Sequence, residues 1–466
     1  MIETIDIEKI QQEDYDTNKS NLRKDVYELL IRKDKDTATE LLATTLQSIT
    51  KFYATQLDER NELYYYEEGI YKPEGKTFVK AFCRKILEAG YTEQIANRVV
   101  AKIEADNYII QEDLLKRHYP ELICLENGIF NLKTKELTEW TPEKIFLNKI
   151  PIKYNPEAKC RNINTFLKAT LPDQDDIDTI YEWFGYCFLG GYPIQKIALF
   201  IGEGGNGKSQ VLSLQSKLVG EKNQCSIPLQ AFENSDFKQV ELFGKMINMG
   251  AEISDQPLKT TAKIKSLSGG DRISASRKFK NDLTFKNETK LIFSANNLPK
   301  TYDLSKAFFR RWIYITFPYK FLPQEELEAL EDKEDYKLAV PDIADKISTE
   351  EELQGLFNKS IEGLHRLLDK GRFTSSKSNE ETMLWWIRNS DSFLAFCWEN
   401  IENNPETYIS KDSLRKRYTK FCKDNKLPSE GDRHIHEVLT RKVLAYDHQT
   451  SDGERVWNNI CWKQNE

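Results

Sequence analysis

Residues 196–219 read KIALFIGEGGNGKSQVLSLQSKLV. The apolar run from Ile197 to Ile201 has the length and composition of a buried strand, and it breaks into a glycine-rich turn. Beyond the turn, Val211, Leu214 and Leu218 recur at spacings of three and four, the period of a helix packed on one side. The loop fits G-x-x-x-x-G-K-[ST], with Gly202, Gly207, Lys208 and Ser209 at the fixed positions and Gly204, Gly205 and Asn206 between them. Consecutive backbone N–H groups can wrap a phosphate only where no Cβ intrudes, and the following helix offers the positive end of its dipole. Lys208 is then placed to reach the β and γ phosphates of ATP, and Ser209 to ligate Mg²⁺. A glycine-rich surface turn is the alternative; the strand before and the helix after argue against it.

Working outward, KMINMGAEISD reads as a second strand with Glu252 at its carboxyl end and Asp255 just beyond, although Asn248 and Gly250 interrupt its apolar run. Ligands of open α/β sheets sit at the carboxyl ends of the strands, so an acid there can meet the Mg²⁺ and its water. A third strand, KLIFSAN, ends in Asn296, whose amide could orient an attacking water. AFFRRWIYITF places Arg310 and Arg311 before a fourth strand, where an arginine can reach the γ phosphate held by a neighbouring subunit. Between residues 259 and 290 there are nine Lys or Arg against three Asp or Glu, in a chain whose net charge is −7. Two short strand-like runs flank Arg277, Lys278, Phe279 and Lys280 there. A basic hairpin with an aromatic at its tip suits phosphate contacts and base stacking; a solvated, salt-bridged face is the competing reading.

The ordered set resembles the superfamily 3 helicases, in particular the primase-helicase proteins of phages, plasmids and poxviruses. GEGGNGKS corresponds to Walker A, GAEISD to Walker B, KSLSGGDRISASRKFK to the basic motif between B and C, KLIFSANNLP to motif C, and FFRRW to the arginine finger. The resemblance covers roughly residues 116 to 375. It implies a hexameric AAA+-like ring that hydrolyses ATP between subunits, threads one DNA strand and moves 3′ to 5′. It implies phosphate and metal binding by Gly205, Gly207, Lys208, Ser209 and Glu252, DNA contact by Lys278 and Lys280, sensing by Asn296, and a trans finger at Arg311 with Arg310 beside it. Walker B here spaces Glu252 and Asp255 two residues apart instead of pairing acids side by side.

The expected fold is α/β: an AAA+-like P-loop ATPase core with an α-helical N-terminal collar and a C-terminal winged-helix domain. The segments are an N-terminal helical and hairpin domain (1–115), a helical collar (116–190), the ATPase core (191–320), an acidic helical lid (321–375) and a tail (385–466), with SSKSN as a linker. In the first, Leu41, Leu42, Leu46, Ile49 and Phe52 fall on one helical face, Tyr64 to Tyr71 form a hairpin, and Asp14, Asp16, Asp34 and Asp36 read as solvated charge. About 115 residues before the collar are too few for a catalytic primase domain, so no primer synthesis is expected of them. The tail gives three helices closed by a hairpin, with Arg433, His434 and His436 where base-reading side chains usually sit; docking of other proteins is the competing reading.

Composition bounds the rest. Apolar residues make up 39% and charged ones 30%, no apolar run is long enough for a membrane span, and the N-terminus lacks a signal-like pattern, which together predict a cytoplasmic protein. The eight cysteines are scattered without metal-ligand spacing. The function expected is an ATP-dependent replicative DNA helicase of a mobile element or virus. Its partners would be single-stranded and forked duplex DNA, further copies of itself and a separate primase or initiator. An origin-melting or protein-remodelling ATPase is the alternative.

Overall fold

The computed structural model describes residues 12–57, 60–110, 113, 119–234, 238–250, 252–254, 256–277, 280–425 and 427–463. Helices α1 (Gln12–Ile31) and α2 (Lys35–Ile49) open the chain, followed by an antiparallel sheet of β1 (Phe52–Leu57), β2 (Arg60–Glu67) and β3 (Ile70–Lys72), then α3 (Gly75–Leu87) and α4 (Glu93–Asp106). The helix expected to carry Phe52 stops at Ile49. Thr50 is extended, because the β-branched and aromatic run that follows fits a pleated strand better than a helix. Phe52 instead packs near Phe78, with ring centroids 6.3 Å apart. Asp34 caps α2, accepting from the Thr37 N–H at 3.1 Å, and Asp36 pairs with Arg98 at 2.9 Å. The side chains of Asp14 and Asp16 lie outside the described residues. The β2–β3 turn is Glu68-Gly69, with φ of 47° and 93°, the left-handed pair that a two-residue hairpin requires. Tyr64 and Tyr65 are buried in this sheet, so neither is a stacking platform.

The segment expected as a helical collar, with LICLENGIFNLKTKELTEW as a hairpin ahead of its helices, begins with a four-stranded sheet, β4 (Leu122–Leu125), β5 (Gly128–Asn131), β6 (Leu137–Thr138) and β7 (Lys149–Ile150), in the order β6-β5-β4-β7. The hairpin of β4 and β5 turns on Glu126-Asn127, and Gly128 opens β5. Only then come α5 (Arg161–Thr170) and α6 (Gln174–Tyr186), whose residues Phe166, Leu167, Ile177, Ile180, Trp183 and Phe184 are all buried.

The core is a parallel sheet of β8 (Ile197–Ile201), β9 (Gln224–Cys225), β10 (Ile247–Met249), β13 (Lys290–Ala295) and β14 (Trp312–Thr316), ordered β14-β8-β13-β10-β9. Every residue of β8 is buried, as a strand covered on both faces must be. Ala198 and Phe200 join one apolar cluster with α5, α6 and α7 (Lys208–Val219), while Ile197, Leu199 and Ile201 join another on the opposite face. The two residues that interrupt β10 have structural jobs. The Asn248 amide bonds both the N–H (2.7 Å) and the carbonyl (3.1 Å) of Ile227, and a Cβ at Gly250 would lie 2.3 Å from the Phe293 ring. Between β10 and β13 stand α8 (Ala262–Gly269) and an antiparallel hairpin of β11 (Arg272–Arg277) and β12 (Lys280–Lys286).

After β14 come the short parallel pair β15 (Lys320–Leu322) and β16 (Tyr336–Leu338), then α9 (Glu350–Lys370). In the segment expected as an acidic helical lid, the Phe321 N–H bonds the Gly205 carbonyl of the glycine loop at 2.7 Å and Asp345 pairs with Lys217 of α7 at 3.0 Å, while the long helix packs on the helical unit. Helix α9 lies against α6 so closely that a Cβ at Gly185 would sit 2.0 Å from the Ser360 carbonyl and one at Gly363 2.6 Å from the Tyr181 backbone. The helical unit is therefore made of elements from before and after the core. Its clasp is Glu352, whose carboxylate accepts the Asn162 and Ile163 N–H groups of the first turn of α5 at 3.0 and 3.1 Å.

The expected linker is ordered packing as well. Ser378 and Glu381 form a capping box at the start of α10 (Asn379–Ser390), whose Trp386 is fully buried against Phe308, Phe309 and Trp312. The tail then runs α11 (Ser392–Asn400), β17 (Ile401–Ser410), α12 (Lys411–Asp424), α13 (Asp432–Val438), β18 (Tyr446–Gln449) and β19 (Arg455–Trp462), with sheet order β17-β19-β18. Strand β17 was not expected from its polar, proline-containing sequence. Pro405 is tolerated because β17 is an edge strand with a register shift between Asn403 and Tyr408. Among the described residues no helix is long and apolar enough to cross a membrane.

Replacing Glu352 by Ala leaves two N–H groups at the buried start of α5 without their acceptor. We expect a loss of about 1–3 kcal/mol, read as a lower midpoint in urea at unchanged slope.

Candidate nucleotide-binding site

Strand β8 runs into the loop of residues 202–207 at the carboxyl edge of the sheet, and α7 leaves it. Gly202, Gly205 and Gly207 have φ of 152°, 76° and 89°, conformations open to glycine alone at little cost. A Cβ on Gly202 would also lie 2.6 Å from the Phe317 carbonyl. Gly204 differs: its φ is not positive, and a Cβ there would meet nothing within 4 Å. Asn206 is buried, its amide donating to the Phe317 carbonyl at 3.4 Å. No side chain caps α7, and Ser209 is exposed in its first turn.

Lys208 is 7% exposed. Its ammonium donates to the Gly202 carbonyl, to the Glu203 carbonyl at 3.0 Å, to Asn206 Oδ1 at 3.1 Å and to Asn296 Oδ1 at 3.2 Å. Burial pushes its pKa down, and the charge of Glu252 opposes that shift. Glu252 is reached because the chain keeps pairing with β13 beyond the end of β10: Gly250 N–H bonds the Ile292 carbonyl and Ile253 N–H the Ser294 carbonyl, at 2.9 and 2.8 Å. Residues from three separate stretches, Lys208, Glu252 and Asn296, are thus brought together at one end of the sheet. Asp255 lies outside the described residues.

The two arginines lie at the other end. The Arg311 carbonyl accepts the Ile197 N–H, at the start of β8, so one strand length, about 15 Å at ~3.3 Å per residue, separates them from the loop. They are not equivalent. Arg311 is buried, its guanidinium tied to the carbonyls of Lys265 (3.2 Å) and Ala307. Arg310 is exposed and bonds Gln195 Oε1 at 3.0 Å. Beside it is Lys196, which the sequence reading passed over; its ammonium donates to the Trp312 carbonyl at 3.2 Å, and burial, then the nearby Arg310 charge, lower its pKa to about 8. A lysine directly ahead of an all-apolar strand was the available signal.

The basic hairpin is formed, with Arg277 paired to Lys280 across its tip. Lys278 and Phe279 lie outside the described residues, as do the side chains of Arg277 and Lys280. The charge count around it overstated what faces outward. Lys290 is 1% exposed, its ammonium held by the carbonyls of Leu189, Gly191 and Glu288, and Lys265 is paired with Asp303. In the tail, His434 is engaged by Asp391 Oδ1 at 2.9 Å and by Lys300 at 3.2 Å, so that ring is not displayed for base reading, whereas Arg433 and His436 are exposed, His436 edge-on to Trp457. Asp391, Glu430 and His434 lie close enough to hold a cation, but the Lys300 ammonium already sits among them, 2.8 Å from Glu430.

Two family models match this chain: "D5 N terminal like" over residues 5–172 and "Family of unknown function (DUF5906)" over residues 200–311. Two viral proteins named "Putative helicase" align with it. The one from Acanthamoeba polyphaga mimivirus is 26% identical over 216 residues, 44% of this chain and 22% of that protein. The one from Sputnik virophage is 23% identical over 385 residues, 79% of this chain and 48% of that protein. The chain is similar to viral proteins named as putative helicases. It spans less than half the length of either relative. A solved structure, the apo C-terminal region of NrS-1, aligns with 90% of this chain and 98% of its own at 13% identity, with a TM-score of 0.45.

The loop geometry sets Gly202, at a fixed position of the motif, apart from Gly204, at a variable one. Gly202→Ala should abolish nucleotide affinity through backbone strain, whereas Gly204→Ala should bind within about twofold of the parent. Titration of a fluorescent ATP analogue, with a thermal melt as a folding control, checks both.

Proposed function

We propose that this chain is an ATP-dependent DNA helicase of the superfamily 3 type, acting in replication of a virus or mobile element. The observation that carries the reading is the buried Lys208 ammonium bonded to Asn296 and facing the Glu252 charge at the mouth of a glycine-only loop. Its four acceptors are all neutral oxygens, so a site with this donor suits a polyanion. The backbone of residues 202–207 and the start of α7 would cradle the phosphates of ATP. Ser209 and Glu252 would hold Mg²⁺, which when bound offsets phosphate charge. Asn296 would position the attacking water, with Asp255 as a further acid.

The opposite placement of loop and arginines supports assembly. One chain supplies the phosphate end and the neighbouring chain the arginine end, so a complete site needs a second copy, and a closed ring gives every copy a neighbour. Of the two arginines we assign the finger to Arg310, against the residue implied by the family pattern. Arg311 is committed to carbonyls of its own chain, whereas Arg310 is exposed. The hairpin β11–β12, bearing Arg277, Lys278, Phe279 and Lys280 at its tip, would grip one strand of DNA. Its base is buried through Ile273 and Ala275, and Phe285 packs edge-on to Phe243 at 5.3 Å, so movement in the core would be transmitted to the tip. The tail would be a winged helix, a reading that the order of its helices and strands supports. A hexamer and 3′ to 5′ movement follow from the resemblance.

On a forked duplex with single-stranded tails, the protein should displace a strand with ATP and Mg²⁺, and Lys208→Ala should abolish displacement. Unwinding by that variant, or no phosphate release with single-stranded DNA present, would overturn the reading. Arg310→Ala should lower stimulated ATPase about 10³-fold or more without loss of melting temperature. Arg311→Ala should instead lower the melting temperature. Mixing Lys208→Ala and Arg310→Ala proteins should restore part of the ATPase activity, since some interfaces then combine an intact loop with an intact finger.

A further inference from the structure

Helix α12 buries Leu414, Tyr418 and Cys422 and turns Lys416, Lys420 and Lys423 to solvent. At 3.6 residues per turn these three lysines fall within an arc of about 60°. They hold no hydrogen bond or ion pair among the described residues. Several basic neighbours are paired, although Arg433 and Lys442 of the same domain also hold no ion pair among the described residues. Lys411 pairs with Asp447, Arg415 with Asp432, Arg441 with Glu437 and Arg388 with Glu399. Lys416 and Lys420 are like charges at i and i+4, which opposes helix formation, and Asp412 and Asp424 stand four residues before and after them on the same helix. In a chain of net charge −7, the lysine row points to a polyanionic partner.

The same domain holds its third helix back. The start of α13 is fastened to the core segment through Lys300, which bonds Glu430 and His434. The aromatics of α12 do not help a single strand, since Tyr418 is fully buried and Phe421 packs into the domain core, leaving no ring on the lysine arc for a base to stack on. What remains is a straight row of ammonium groups, suited to phosphates and blind to bases.

We propose that Lys416, Lys420 and Lys423 form a sequence-independent docking surface for the phosphate backbone of duplex DNA. The proposal rests on the reading of the chain as a DNA-directed protein and adds to it the place where unopened duplex is held, away from the hairpin assigned to the single strand.

The test uses the full chain and the variant Lys416→Ala with Lys420→Ala and Lys423→Ala, which keeps helix-forming residues at exposed positions. Fluorescence anisotropy would follow two short blunt duplexes of unrelated sequence, and a single strand, between about 50 and 200 mM salt. The expected result is weaker binding of both duplexes and a salt slope smaller by about 2.7, at roughly 0.9 for each of three phosphates lost. Single-strand affinity and single-strand-stimulated ATPase stay as in the parent, and the corresponding triple Arg variant restores duplex binding. Unchanged duplex affinity and slope would overturn the proposal and leave the stripe to an acidic protein segment. So would a loss confined to one sequence, or an equal loss on single strands. A parent protein without single-strand-stimulated ATPase sinks the helicase reading alone, and the duplex titration still decides this one.

Discussion

Burying an ammonium is expensive unless several acceptors converge on it, and at Lys208 that requirement reaches through much of the molecule. The acceptors include loop carbonyls, which can turn inward only where Gly202, Gly205 and Gly207 take left-handed backbone conformations. Another is the Asn296 amide, available because β13 lies directly beside β8 in the sheet. The opposing charge of Glu252 arrives from β10, one strand further out, whose own irregularities at Asn248 and Gly250 are absorbed by Ile227 and by contact with Phe293. Strand order, glycine placement and the amide at the end of β13 thus serve a single group.

The sheet that provides this edge is held from both sides by separate apolar clusters, and alternation along β8 assigns its residues to one or the other. One side is filled by α5 and α6 together with α9, drawn from opposite flanks of the core in sequence and locked at glycine contacts and by Glu352. On the other side, Trp386 packs on Trp312 and donates from its indole N–H to the Pro299 carbonyl at 3.0 Å. The stretch from Asn296 to Lys300 therefore touches Lys208 at one end and the C-terminal helices at the other.

Charge follows a similar economy. The local excess of basic residues around the hairpin is partly consumed inside the protein, where Lys290 donates to backbone carbonyls and Lys265 pairs with a carboxylate. By contrast, Lys416, Lys420 and Lys423 remain outside such networks, although they belong to a part of the chain with a weaker compositional signal. Net charge cannot distinguish these cases, because it does not record which ammonium has an acceptor within reach.

What the sequence determined by itself was local: a strand, a glycine loop and a helix at residues 197–219, the hairpin between Tyr64 and Tyr71, and the strand that ends just before Asn296. These depend on residues a few positions apart, whose backbone preferences and apolar periods are written in the chain order. Tertiary structure alone decided which of Arg310 and Arg311 is exposed, that α9 closes the helical unit, that a polar edge strand completes the tail sheet, and that His434 serves an ion-pair network. Each of those outcomes turns on a partner that is distant along the chain, such as the Lys265 carbonyl for Arg311 or Asp391 for His434. Periodicity and composition carry no information about which distant groups will meet, and it is burial and hydrogen-bond satisfaction between them that fixes the result.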